Sequence, residues 1–138
     1  MNHKRILSLA AVALLAACNG LLSDPQPDVV YQADREAYTP ADSVVTSLVN
    51  TSDDDVGYNL CLTALEKRSG GSWTRVARNP EQPCILPLYI LRPGESATYR
   101  EAASRFPGPG TYRLRTDVET PVPGPRMEVV TDPFTVAQ

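Results

Sequence analysis

Side chains able to do chemistry are few and unevenly placed in this 138-residue chain: cysteines at 18, 61 and 84, one histidine at position 3, and 16 carboxylates against 13 basic groups. Histidine is the commonest general acid or base near neutral pH and a leading metal ligand, so its scarcity narrows the reactions within reach. Asp53-Asp54-Asp55 offers three consecutive carboxylates, and Ca²⁺ takes about six to eight oxygen ligands. An EF-hand, however, alternates its acidic ligands and needs a glycine at the sixth loop position, so the triplet reads as a solvated turn and not as a metal site. Arg113 and Arg115 fall on one face of a strand pattern, where guanidinium forks could hold an anion. Asp117 and Glu119 continue that face, which makes a mixed charged surface the better expectation. Trp73, Tyr89 and Tyr99 could stack on carbohydrate, but such rings in a small domain are expected in core or hairpin packing, where each buries a large apolar area. Glycoside hydrolysis needs two carboxyls at a set separation across a cleft, and acids scattered along turns do not provide it. The residues thus predict no catalytic group, no metal site and no cofactor.

The N-terminal residues follow a secretory pattern: a basic start at Lys4 and Arg5, an apolar run over residues 6–17, and small residues at a cleavage point. The run is 12 residues long, well short of the roughly 20 that a membrane-crossing helix needs. Leu15-Ala16-Ala17-Cys18 resembles the lipobox of bacterial lipoproteins. That resemblance implies a diacylglyceryl group on the Cys18 thiol and cleavage just before it. The expected organisation is a signal peptide over 1–17, a lipidated cysteine with a flexible tether over 18–28, and one domain over 29–138. One acyl chain holds a protein only marginally, so the two or three chains that such lipoproteins carry would make the anchor firm. Asn19 stands where an Asp retains many Gram-negative lipoproteins at the inner membrane, so the resemblance favours the outer membrane.

Removal of residues 1–17 has three consequences. It takes Lys4 and Arg5 but no acid, moving the net charge from −3 to −5; nucleic acid is thereby disfavoured as a partner, since binding it requires clustered Lys and Arg. It takes His3, which excludes serine-histidine triads, cysteine-histidine dyads and histidine-bearing zinc sites from the mature chain. With Cys18 lipidated, it also leaves Cys61 and Cys84 as an even pair in an oxidising compartment, where a disulfide between them is expected.

Beyond the tether, short runs rich in Val, Thr, Tyr and Leu alternate with Pro, Gly, Asn and Asp clusters, the pattern of an all-β domain. Strands are expected over 29–33, 43–50, 57–65, 73–77, 86–91 (interrupted by Pro87), 96–100 and 111–118, and over 126–130 followed by 134–136 as one closing strand that Pro133 kinks or bulges. Residues 57–65 read as one alternating strand, with Tyr58, Leu60, Leu62 and Ala64 on one face. Gly70 and Gly71 then turn the chain into a hairpin. Along 112–118, Tyr112, Leu114, Thr116 and Val118 would face a core, and Arg113, Arg115 and Asp117 would face water. Seven to eight antiparallel strands with turn signals about every 8–12 residues favour a β-sandwich.

Gly110-Thr111-Tyr112-Arg113-Leu114 resembles the start of the penultimate strand of immunoglobulin-like domains, where such a tyrosine makes a corner. Leu114 stands two residues after the tyrosine, where antibody domains carry the second core cysteine. The resemblance is therefore to bacterial immunoglobulin-like domains, with Cys61 and Cys84 forming a peripheral bridge. Supporting features, in order, are a strand ending at Asn50, Tyr58-x-Leu60-Cys61, a Gly70-Gly71-x-Trp73 hairpin and a Pro93-Gly94-Glu95 turn. The resemblance implies a non-catalytic, lipid-anchored envelope protein that acts as a binding or structural module, with the membrane and an envelope protein or polysaccharide as partners. An alternative is a proteinase inhibitor presenting the disulfide-tied loop of residues 79–89, since some bacterial inhibitors share a β-sandwich.

Overall fold

The computed structural model describes residues 28–81 and 83–138. Cys18, the leader with His3, and the tether as far as residue 27 lie outside the described residues. Eleven strands follow one another: β1 (Val29–Ala33), β2 (Ala37–Tyr38), β3 (Ser43–Asn50), β4 (Val56–Tyr58), β5 (Ala64–Ser69), β6 (Ser72–Val76), β7 (Tyr89–Leu91), β8 (Ser96–Ala102), β9 (Gly110–Glu119), β10 (Arg126–Val130) and β11 (Phe134–Val136). Single 3-10 turns at Leu60–Leu62 and Ala103–Arg105 are the only helical segments among the described residues.

The strands form two sheets. One is β1-β3-β8, antiparallel throughout. The other is organised by β9, the longest strand. Along one side β9 pairs with β11 and then β10; along the other it pairs with β5 and β4, which pair outward with β6 and β7 respectively. The first strand of the domain is divided between the sheets: β1 lies antiparallel to β3, and β2 crosses to pair in parallel with β11. Asp34 guides this crossing by accepting from the Tyr38 hydroxyl at 2.6 Å and the Val45 amide at 3.1 Å. Burial, followed by the bond to Asp34, pushes the Tyr38 hydroxyl up to about 12. A divided first strand, two facing sheets and antiparallel pairing elsewhere define an immunoglobulin-like β-sandwich.

Alternation explains the layers. β3 is buried at every second residue, with Val44, Thr46, Leu48 and Asn50 inward. In β9 Tyr112, Leu114, Thr116 and Val118 face the interior, as their period-two spacing requires. The inward faces meet in one core that contains Tyr31, Leu48, Leu65, Leu91, Leu114 and Val118, with Tyr38, Phe106, Tyr112 and Phe134 clustered around ring contacts of 5.2–6.4 Å. The Tyr112 hydroxyl donates to the Gly108 carbonyl at 2.6 Å, closing the tyrosine corner that Gly110-Thr111-Tyr112 predicts. Leu114 is buried at the position that holds a cysteine in antibody domains.

Two expected strands are divided, and β2 is added where only an edge or turn was read. The 126–136 strand parts at Thr131–Pro133, where the Thr131 side chain accepts from the Leu114 amide at 3.0 Å and so replaces a ladder bond that the break removes. The expected 57–65 strand is corrected more substantially. Asn59 accepts from the Cys61 amide at 3.1 Å, and residues 60–62 wind into a 3-10 turn. Leu60 and Ala64 are buried, while Leu62 is turned out and 53% exposed. The hairpin accordingly begins at β5, with Gly70 at φ +55° and Gly71 at φ +87° in its turn.

Candidate functional site

The turn at 60–62 matters because of what it faces. Among the described residues the longest stretch between strands runs from β6 to β7, over residues 77–88, along the open edge of the larger sheet. This segment is fixed at five points. Arg78 forms a two-pronged ion pair with Glu101 of β8, at 2.5 and 3.0 Å, and donates to the Thr63 carbonyl at 2.9 Å, which ties the two sheets together. The Asn79 amide donates to the Arg105 carbonyl at 2.9 Å, and Arg105 returns a bond of 2.7 Å to the Pro80 carbonyl. Cys84 is joined to Cys61 by a disulfide. The amide nitrogen of Asn59 donates to two main-chain carbonyls, those of Ile85 and Pro87, each at 3.0 Å. Finally, the Leu88 side chain lies over Gly57, where a Cβ would stand 3.0 Å from Leu88 Cδ2.

Glu101 is buried, and a carboxylate there is tolerated only because a guanidinium meets it in the fork geometry that Arg and carboxylate share. Asn59, also buried, uses both ends of its amide: the oxygen caps the 3-10 turn and the nitrogen grips the segment opposite. This arrangement holds the backbone while releasing the side chains. Ile85 is 73% and Leu86 77% exposed, and Leu88, Tyr89, Ile90 and Leu62 are also largely open to solvent. Six of the eight large apolar side chains exposed among the described residues therefore stand at this one edge. Leu62, Leu86 and Leu88 line a groove of about 280 Å³ together with Arg75, Arg115 and Arg126.

The other sequence candidates are placed elsewhere. Asp53, Asp54 and Asp55 lie in an exposed turn whose backbone is held by Asn50: the Asn50 amide donates to the Asp54 carbonyl at 2.7 Å and to the Leu91 carbonyl at 3.0 Å, and its oxygen accepts from Ser52. Among the described residues no three His, Cys, Asp or Glu side chains are grouped to hold a metal ion. Arg113 and Arg115 do face outward, but their partners come from neighbouring strands. Glu66 lies 2.6 Å from Arg113 and 3.0 Å from Arg115, and Glu128 pairs with Arg115 at 2.5 Å. The bond to Glu128 raises the pKa of Arg115 above its ordinary value. Trp73 packs in the hairpin beneath the Arg113 guanidinium, 4.6 Å from its ring. Tyr89 leans on Tyr58 at 5.7 Å, and Tyr99 packs against the core. Burial, followed by the neighbouring Tyr89, raises the Tyr58 hydroxyl above its usual range.

The fold and this edge define an immunoglobulin-like β-sandwich with a peripheral disulfide. No protein-family model matches the chain, and no curated protein does. Among solved structures it is similar to the ASH / PapD-like domain of human CEP192, with 14% identity, a TM-score of 0.40 and 97% of each chain covered. It is also similar to part of a ceramidase complexed with C2, at 15% identity, a TM-score of 0.45, and coverage of 80% of this chain and 18% of that one. A β-glucosidase from Listeria innocua in complex with gluconolactone gives 11% identity, a TM-score of 0.39, and coverage of 80% and 16%. The chain thus spans less than a fifth of the ceramidase and of the glucosidase.

Proposed function

We propose that the chain is a non-catalytic, lipid-anchored module of the bacterial cell envelope, held through Cys18 in the outer membrane and binding an envelope protein through the 77–88 segment and the strand after it. The observation that carries this reading is the concentration of exposed Ile85, Leu86, Leu88, Tyr89 and Ile90 on a backbone that five separate contacts immobilise. Contiguous apolar surface on a soluble domain marks an interaction site. A fixed backbone lowers the entropy lost on association. The lipobox supports the anchor, and the loss of His3 with the leader supports the absence of catalysis. The anchor is tested by Cys18→Ser: the variant is expected in the soluble fraction of broken cells, and a variant that still pellets with membranes refutes lipid attachment.

A second reading, a proteinase inhibitor, is favoured by one specific observation. Asn59 grips the Ile85 and Pro87 carbonyls next to the Cys61–Cys84 bridge. The segment between them is thereby stiffened where a substrate strand would be flexible, which is what lets a loop occupy a peptidase cleft and stay there.

A further inference from the structure

Resting on that second reading, we propose that Leu86 is the residue presented to the partner, that the partner is a serine endopeptidase with an apolar primary pocket, and that Asn59 is the positioning residue. A serine endopeptidase takes an extended chain, draws one side chain into its primary pocket and receives that residue's carbonyl oxygen in the oxyanion hole. An inhibitor must therefore offer one protruding side chain with a free carbonyl, while the residues on either side are held.

Leu86 meets each requirement. It is the most exposed of the large hydrophobic side chains, at 77%. The carbonyls before and after it, of Ile85 and Pro87, are both turned to the body of the domain by the one Asn59 amide at 3.0 Å. The Leu86 carbonyl, between these two, is not one of the groups that Asn59 holds. Two residues earlier Cys84 is covalently fixed to the turn that Asn59 caps. Leu88 is committed differently: its side chain rests on Gly57 and forms the foot of the segment. The residue after Leu86 is Pro87, whose ring fixes φ and limits the backbone on that side. A leucine suits a hydrophobic slot and not a pocket with a carboxylate at its base.

The test uses the full-length protein in detergent, with chymotrypsin and subtilisin as enzymes with apolar pockets, trypsin as the control, and small chromogenic substrates. The expected result is competitive inhibition of at least one of the first two and none of trypsin. Leu86→Arg, at an exposed position, is expected to lose about a hundredfold or more of that inhibition and to gain inhibition of trypsin, while Leu88→Arg keeps the apolar preference. Asn59→Asp retains the size and the acceptor for the Cys61 amide but not the two donations. It is expected to weaken inhibition about tenfold without changing which enzyme is preferred, and to let the enzyme cut within residues 84–89, read by mass spectrometry. The proposal is overturned if the wild-type chain inhibits neither enzyme, if Leu86→Arg leaves the profile unchanged, or if Leu88→Arg is the change that redirects it. A wild-type chain that inhibits neither enzyme, but captures an envelope protein that is lost when 85–88 is replaced by Gly and Ser, overturns the peptidase assignment and leaves the envelope module standing. Capture that survives the replacement removes the segment from that module's binding surface.

Discussion

Two of the connections without regular structure solve opposite problems. The turn at 51–55 satisfies its backbone from within, through Asn50 and Ser52, and sends three carboxylates into water. The segment at 77–88 has its backbone held from the body of the domain by Asn59 and Arg105, reaches back through its own Arg78 to the Thr63 carbonyl, and sends isoleucine and leucine into water. The first arrangement is the ordinary surface of a soluble protein. In both a buried asparagine, Asn50 or Asn59, holds a strip of backbone, and only in the second are apolar side chains that would normally be buried left out. The exposed apolar strip is the observation on which the proposed recognition role rests.

The comparison breaks most sharply at Glu101. Glu101→Ala leaves the Arg78 guanidinium half-buried without its partner and is expected to cost about 3–5 kcal/mol in chemical denaturation, the range for opening a buried ion pair. A cost below about 1 kcal/mol would mean that the sheets do not depend on this end of the segment. Replacing Cys61 and Cys84 together by Ser is expected to lower stability by about 3 kcal/mol and to raise amide exchange at 83–88 while β3 and β9 stay protected. Uniform loss of protection would show that the bridge supports the whole fold and not the segment alone. Changing Asp53, Asp54 and Asp55 together to Asn is expected to shift stability by less than about 1 kcal/mol, as surface changes do, and to leave partner capture intact. A loss of capture there would move the contact surface to the other connection.

How much of this was readable in the sequence follows from which signals are periodic. β3 and β9 alternate so regularly that their inward faces, Val44 to Asn50 and Tyr112 to Val118, are fixed by spacing alone. The tyrosine corner was legible for a related reason, since glycine, tyrosine and a strand must coincide to build it. The break after Tyr58 was not, because Leu60, Leu62 and Ala64 keep the right period through a turn that reverses one of them. Nothing in a lone asparagine announces that its amide will be shared between a 3-10 turn and a segment 26 residues away. Counting acids missed Glu66 and Glu101 for the same reason: burial of a carboxylate depends on an arginine brought from elsewhere in the chain, here Arg113 and Arg78. Residues 79–89 nonetheless read as a presented loop from Pro80, Pro83, Cys84 and Pro87, since prolines and a bridged cysteine limit what the backbone can do.

The division of the first strand bears on mechanics. The Asp28 carbonyl sits beside the end of β3, bonded to the Thr51 amide, whereas the Ala137 amide bonds to the Tyr38 carbonyl near the start of β3. Residues 28 and 137 thus emerge at opposite poles of the sandwich, with β3 between them. Tension drawn between those poles runs along β1 and β11 and loads their lateral bonds simultaneously, in shear, so that they cannot open one after another like a zip. For a pull applied at residues 28 and 137, the geometry converts a set of individually weak bonds into a joint that yields only as a whole.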